Sequence, residues 1–338
     1  MVYAQVLKKL IARTDLTEGE AFEAVEEILS GRMTEGQIGA FLAVLAAKGE
    51  TVEEICGGAA AMRAAATRVQ CLVANALDTV GTGGDGGITF NISTTVAFVA
   101  AGAGAVVAKH GNRASSGKSG SADCLEKLGF NLDAAPERME EALNELGITF
   151  LFAPSFHRAM RFAGPVRKQL GVRTLFNMLG PLTNPAGAAC QLIGVFAPEL
   201  TETFAQALKR LGSRRVLVVH GSDGMDEITL TGPTRCSELK DGLVKTYDID
   251  PLQYFEDTCT PEELEGGDAA RNAEITREIL SGTCKGPKRD IVLLNSAASL
   301  LAAGLVPDLK AGIAKSAESI DSGAALEKLN RLIEFSVA

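Results

Sequence analysis

Five short stretches of this 338-residue chain bring together residue types suited to binding anions, a metal or a flat carboxylate. The densest is Lys109-His110-Gly111-Asn112-Arg113-Ala114-Ser115-Ser116-Gly117-Lys118-Ser119-Gly120-Ser121. Three cations, four hydroxyls and three glycines crowd there behind an apolar run, which suits a multiply charged phosphate ligand. Gly81-Thr82-Gly83-Gly84-Asp85 lets a backbone approach a ligand closely and turn its N–H groups toward anionic oxygens. It is not G-x-G-x-x-G, and no acidic residue stands about 20 positions on for a ribose, which disfavours a nicotinamide dinucleotide. Asn91-Ile92-Ser93-Thr94-Thr95 opens a helix, where free N–H groups favour phosphate; plain capping by Ser93 or Thr94 is the simpler reading. Asp226-Glu227 follows a strand and a Gly-Ser-Asp-Gly turn, and such a carboxylate pair suits Mg2+ bridging to substrate phosphates. Between Arg158 and Pro185, four arginines (158, 161, 167, 173) and Lys168 lie beside Phe, Met and Leu. A guanidinium next to apolar surface can grip a planar aromatic carboxylate with paired hydrogen bonds.

The rest of the chain limits what these stretches serve. There are 42 acidic and 33 basic residues, for a net charge of −9. A nucleic-acid partner needs a broad basic face, which this balance argues against; a small cationic pocket is still allowed. Trp is absent and only three Tyr occur, so base-stacking platforms would fall to the Phe residues. The seven cysteines are an odd number with no C-x-x-C, which points to free thiols in a reducing compartment rather than disulfides or zinc. The N-terminal stretch lacks a long apolar segment, and the longest apolar and glycine run, 96–108, is too short to span a bilayer. A cytoplasmic protein without a membrane partner is expected.

The elements that position these residues follow from pattern. Thr17/Glu20, Thr34/Gln37 and Thr51/Glu54 form successive capping boxes, each followed by apolar residues at helical spacing, and Gly31 and Gly49 stop two of the helices. Residues 1–70 therefore predict a small all-helical unit. From residue 77 short apolar strands alternate with helices. Strands are expected at 77–80, 105–108, 148–152, 192–196, 216–220 and 291–294. Helices are expected from about Ser93 through Val99, over 199–211 and over 297–305, and 255–289 as helix and loop. Continuous apolar strands alternating with helices imply a mostly parallel sheet covered on both faces. Ligands bind at the carboxyl ends of such strands, where both glycine-rich stretches fall.

In this order, and over about residues 5–330, Gly81 to Asp85, Asn91 to Thr95, Lys109 to Ser121, Gly164-Pro165-Val166-Arg167, Arg173 to Asn177, Gly180 to Pro185 and Asp226-Glu227 closely resemble the anthranilate phosphoribosyltransferases of tryptophan biosynthesis. The resemblance implies an α/β fold. A small N-terminal all-helical domain, 1–70, precedes a larger domain, 71–338, whose mostly parallel central sheet is flanked by helices, as in pyrimidine nucleoside phosphorylases. It implies that part of 160–185 packs back onto the N-terminal helices, and that two copies pair through the helical domains as a homodimer. The implied reaction joins anthranilate to phosphoribosyl pyrophosphate and releases pyrophosphate. By resemblance, Gly81, Gly84, Asp85 and Thr89 line the donor site. Asn91, Ile92, Ser93, Thr94, Lys109, His110, Gly111, Asn112, Arg113, Ala114, Ser115, Ser116, Gly117 and Ser121 contact its phosphates and ribose. Two Mg2+ ions are implied, one held by Ser93 and Glu227, the other by Asp226 and Glu227. Anthranilate would sit among Gly81, His110, Asn112, Pro154, Gly180 and Arg167, with Arg167 nearest its carboxylate. An aromatic amine is neutral at pH 7 with its lone pair available, so His110 is expected to position or polarise it rather than act as an obligatory base.

One departure stands out. The family usually has two serines just before the second lysine of the basic loop, and here the chain reads Ser116-Gly117-Lys118, so a Gly117 N–H would replace one hydroxyl. A pyrimidine nucleoside phosphorylase-like enzyme would share the scaffold without needing Mg2+ or the Asp-Glu pair; the Lys-His-Gly-Asn-Arg run favours the transferase. A non-catalytic relative that binds nucleic acid is opposed by the net charge and by Asp226-Glu227.

Overall fold

The computed structural model describes residues 3–83, 88–114 and 117–337. Helices α1 (Tyr3–Ile11), α2 (Glu18–Leu29), α3 (Glu35–Lys48) and α4 (Val52–Ala65) come first. Each of the three capping boxes forms in both directions: Thr17, Thr34 and Thr51 accept from the backbone N–H three residues on, and Glu20, Gln37 and Glu54 reach back. A cap of this kind contributes about 1 kcal/mol. The chain then alternates: β1 (Leu77–Gly81), α5 (Ile92–Gly102), β2 (Val107–Gly111), α6 (Ser121–Leu128), α7 (Pro136–Leu146), β3 (Ile148–Phe152) and the single turn α8 (Ala153–Phe156). Two short helices follow, α9 (Gly164–Leu170) and α10 (Leu175–Leu179), and then β4 (Cys190–Gly194), α11 (Leu200–Arg210) and β5 (Arg215–Gly221). A hairpin, β6 (Thr234–Lys240) and β7 (Leu243–Ile249), leads into α12 (Ala269–Leu280), α13 (Pro287–Ala302), α14 (Leu309–Asp321) and α15 (Ala324–Val337).

The seven strands form one sheet in the order β3-β2-β1-β4-β5-β6-β7, parallel from β3 to β5 and antiparallel at the hairpin. Connections run outward from β1 to β3 on one side and from β4 onward on the other, so the order reverses between β1 and β4. A crevice opens at such a reversal, outside the carboxyl ends of the strands.

Two apolar layers sandwich the sheet. One joins α5, α6, α7 and α12–α15 to one face. The other is continuous from the helical bundle to the opposite face: Ile28, Phe41 and Ile55 belong to the same buried cluster as Val166, Leu175, Phe176, Leu179, Ile193 and Phe204. The segment around α9 and α10 thus packs against the N-terminal helices. Arg63, near the end of α4, fixes the junction, donating from Nε to the Leu182 carbonyl at 2.7 Å and from Nη1 to that of Leu211 at 3.1 Å.

One expected strand needs correction, and one hairpin has no counterpart among the expected strands. Residues 291–294 are not a strand but the middle of α13. Its run from Ile291 to Ala302 is buried on every side, and a helix buried all round has the same four-residue signature as a buried strand. The hairpin was missed because its outer strand is half solvated. Its turn, Asp241-Gly242 with both φ positive (51° and 74°), is a turn signal that pattern reading passed over.

Candidate active site

A cleft of about 590 Å3 opens at the carboxyl ends of β1 and β2. Gly81, Ser93, Lys109, His110, Gly111, Asn112, Arg113, Ala114, Gly117, Ser121, Pro154, Arg167 and Gly180 all line it. Gly84, Asp85, Ser115 and Ser116 lie outside the described residues.

Lys109 is almost wholly buried at the end of β2. Its Nζ donates to the Thr79 carbonyl at 2.5 Å and to Ser93 Oγ at 3.3 Å. Burial lowers its pKa to about 8, opposed by the charges of Asp78 and Glu227, so the ammonium persists at neutral pH. Among the described residues Lys109, Arg158, Arg161 and Arg167 line the cleft without an ion pair. The chain is acidic overall, yet this cleft is cationic.

His110 and His157 face each other, ring centroids 5.1 Å apart. Burial pushes His110 down to about 3, helped by His157, and His157 itself down to about 4. Both rings are therefore neutral at pH 7. The Gly180 carbonyl favours a proton on the His110 ring and the Thr183 carbonyl one on His157, while Nε2 of each is buried and without a partner. An Nε2 left unprotonated in this way offers a lone pair to whatever enters.

Arg167, on α9, stands 5.7 Å from the centre of the Phe176 ring. Its Nε is buried and unpartnered, and burial lowers its pKa. Met62, Met160, Phe176 and Pro181 complete this side of the cleft, so a guanidinium with donors to spare faces an apolar slot.

Other residues sit differently from the sequence reading. Arg113 turns away to Asp123 and Glu126 of α6, at 2.8 Å each. Ser93 and Thr94 fall inside α5 rather than capping it; Asn91 stands at the cap position without a side-chain cap, its side chain bonding Ser119 and Asn272 and tying the basic loop to α12. The Ile92 side chain is in the core, and the Thr94 hydroxyl is buried without a partner. Thr89 bridges to Glu265.

Asp226 and Glu227 lie on the loop between β5 and β6. Asp226 rests directly on the backbone of Gly81 and Gly194, and its Oδ2 accepts from the Gly83 N–H at 2.8 Å. Both carboxylates act electrostatically on Lys109, whose Nζ reaches Ser93. Two carboxylates and a hydroxyl are hard oxygen donors, too few to enclose a cation, which fits Mg2+ shared with substrate phosphates. Sequence reasoning missed three residues here: His157, and the buried pair Asp78 and Asn184 beneath the cleft. Burial raises the Asp78 carboxyl to about 6, against the pull of Asn184 and Lys109. An acid inside an apolar strand and a Thr-Asn-Pro after a turn were the available signals.

Two family models cover nearly the whole chain. Residues 4–66 match the helical bundle domain of a glycosyl transferase family, and 73–326 match its a/b domain. An anthranilate phosphoribosyltransferase from Desulfosudis oleivorans is 60% identical over 99% of this chain and 98% of its own. The chain belongs to the anthranilate phosphoribosyltransferases. The Thermus thermophilus anthranilate phosphoribosyltransferase structure superposes with a TM-score of 0.93 at 46% identity, covering 98% of this chain and 99% of its own. The Saccharomyces cerevisiae anthranilate phosphoribosyltransferase, solved in complex with PRPP and Mg, gives a TM-score of 0.90 at 30% identity, over 99% and 98%. Anthranilate phosphoribosyltransferase activity, a glycosyl transfer in tryptophan biosynthesis, is therefore the activity of this chain.

Proposed function

We propose that the cleft holds the 5-phosphoribosyl donor over the carboxyl ends of β1 and β2, and anthranilate in the slot between His110 and Arg167. The amine attacks the anomeric carbon as the bond to pyrophosphate breaks, and N-(5-phosphoribosyl)anthranilate, pyrophosphate and the one proton shed by the amine leave. The observation that carries this reading is the pairing of a cleft lined by Lys109, Arg158 and Arg161 with an apolar slot that contains the buried Arg167 guanidinium, its Nε without a partner.

Charge is the physical difficulty. The donor is a polyanion and the leaving group gains charge in the transition state, so positioning and preorganised positive charge should dominate. Lys109 supplies such a charge at a fixed point, because Thr79 and Ser93 hold its ammonium. The N-terminus of α5 adds N–H donors. Bound Mg2+, held by Ser93, Asp226 and Glu227, would neutralise pyrophosphate oxygens; we assign two ions, following the family resemblance. Gly84, Asp85, Ser115 and Ser116 are assigned to the donor on the same ground.

Arg167 fixes the anthranilate carboxylate. His110 Nε2 accepts from the amine and orients its lone pair toward the anomeric carbon. With a pKa near 3 the ring is already neutral, so it needs no deprotonation to do this. Pro154, Gly180 and Asn112 shape the slot. We also assign a homodimer paired through the helical domains and a cytoplasmic location. Among the described residues no helix is long and apolar enough to cross a membrane.

The test is to mix protein, phosphoribosyl pyrophosphate, anthranilate and Mg2+ and follow the loss of anthranilate fluorescence. Asp226→Asn with Glu227→Gln should weaken the dependence on Mg2+. Full activity of that double variant at low Mg2+ would reject the metal assignment. Phosphate-dependent cleavage of a pyrimidine nucleoside would favour the phosphorylase instead.

A further inference from the structure

The pairing of β1 with β2 is unlike that of their other neighbours. β1 pairs with β4 along its whole length, and β2 with β3 likewise. β1 and β2 are in register only at Leu77 and Val107. Beyond that point side chains stand where ladder hydrogen bonds would be. Asp78 Oδ1 accepts from the His110 N–H at 3.0 Å. Asn184 Nδ2 donates to Asp78 Oδ2 at 2.8 Å and to the Ala108 carbonyl at 2.7 Å. Asn184 Oδ1 accepts from the Ala186 N–H at 2.9 Å.

Asp78 is fully buried and Asn184 nearly so. An ordinary parallel ladder would satisfy the same backbone groups with no carboxylate in the interior, and desolvating a charge is costly even when it is paired. Strand pairing alone therefore does not account for this carboxylate. Its bonds join three segments: β1, the His110 position of β2, and the loop that follows the Gly180–Leu182 turn. The ring of His110 also meets the Gly180 carbonyl, and both residues line the cleft where the anthranilate slot is assigned, so the buried pair and this contact hold the same side of the slot together.

We propose that Asp78 and Asn184 are a positioning pair, whose side chains wedge β1 from β2 and lock His110 to the Gly180–Pro185 loop, setting the width of the anthranilate slot. This rests on the assignment of His110 and Gly180 to that slot. Neither member of the pair lines the cleft. Lys109 is held by bonds to Thr79 and Ser93, and the Asp78 charge also supports its ammonium, so a variant that keeps that charge is the one that separates the two halves of the cleft.

The donor–acceptor pattern makes the pair testable by exchange. Asp78→Asn turns an NH2 toward the NH2 of Asn184, or forces an amide flip that abandons either His110 or both Ala108 and Ala186. Asn184→Asp sets two carboxylates against each other. The double exchange Asp78→Asn with Asn184→Asp restores the amide–carboxylate bond and the bonds donated by the His110 and Ala186 N–H groups, but sets a carboxylate oxygen against the Ala108 carbonyl in place of a donor. Each single variant should raise the KM for anthranilate about tenfold or more, and Asn184→Ser, which keeps the Asp78 charge and the Asp78–His110 bond, should do so while leaving the KM for phosphoribosyl pyrophosphate within about threefold, as expected when one substrate's positioning is lost. The exchanged double variant should have a lower anthranilate KM than either single exchange. Wild-type anthranilate KM in the single variants, both KM values rising together in Asn184→Ser, or an exchanged variant no better than the single exchanges would overturn the proposal. His110→Ala is run alongside: an unchanged anthranilate KM there would mean that the slot assignment had failed, not the pair.

Discussion

Replacing Gly194 with alanine tests the metal-site geometry most directly. Gly194 ends β4 and is in register with Gly81 at the end of β1. The Asp226 backbone lies on top of it. A Cβ at position 194 would stand 1.5 Å from the Asp226 carbonyl oxygen, 2.3 Å from its carbonyl carbon and 2.9 Å from its Cα. Carbon and oxygen not bonded to each other settle at roughly 3.4 Å, so the Asp226 backbone must retreat by roughly 2 Å. These are main-chain atoms and cannot swing aside as a side-chain tip could. The bond from the Gly83 N–H to Asp226 Oδ2, 2.8 Å long, should break, and Glu227 moves with its neighbour. Overpacking of this kind costs about 1–3 kcal/mol in stability. A displacement near 1 Å can already cost about 100-fold in rate where geometry is demanding. Gly194→Ala is therefore expected to fold with a Tm a few degrees lower, to lose about 100-fold in kcat/KM, and to need about tenfold more Mg2+ for half-maximal rate. The assay is anthranilate fluorescence loss across a Mg2+ titration, with a thermal melt on the same sample. A folded Gly194→Ala protein with wild-type Mg2+ dependence would refute the argument that Asp226 must sit on that glycine to bind the ion.

Three further outcomes follow from the site. Arg167→Ala should raise the KM for anthranilate about tenfold or more with a smaller change in kcat, and steady-state rates over a range of anthranilate would expose an unchanged KM. His110→Ala should cost less than the roughly 100-fold typical of a lost acid–base group, and the wild-type rate should show no ionisation of this ring above about pH 5; a larger loss together with an abolished pH dependence would make His110 a base. Stability should fall on mild acidification. Below pH 6.5 the unfolded imidazoles of His110 and His157 take up protons that the folded ones refuse until about 3 and 4, while the folded Asp78 carboxyl gains its proton near 6, ahead of the unfolded one at 3.8, and offsets part of the loss. The net change from pH 7 to pH 5.5 is a loss of about 2 kcal/mol, and denaturant midpoints that do not move over that range would contradict it.

Much of this was legible in the chain itself. Capping boxes and helical spacing define α2, α3 and α4 because both signals are local: each Thr and its partner three residues on satisfy the same end of one helix. The glycine-rich and basic stretches declare a phosphate-type site for a similar reason, since small residues, hydroxyls and cations have few other uses together behind a buried strand. Their side chains' final partners were not legible. Arg113 looks like a phosphate ligand by sequence, but α6 places Asp123 and Glu126 within its reach. The run at 291–294 has the same apolar character as a strand, and only the surrounding layers make it a helix buried on all sides.

Sequence alone thus determined the chemistry available: a cationic loop, a carboxylate pair, and arginines among apolar residues, strung on alternating strands and helices. The tertiary structure decided which of these meet. His110 and His157 are 47 positions apart in the chain, and Asp78 and Asn184 are 106 apart, yet each pair is in contact. Neither spacing follows a helical or strand period, so no local pattern could announce it. The strand order that reverses between β1 and β4, and the split between β1 and β2, bring them together, because those are the places where the sheet leaves room between its strands.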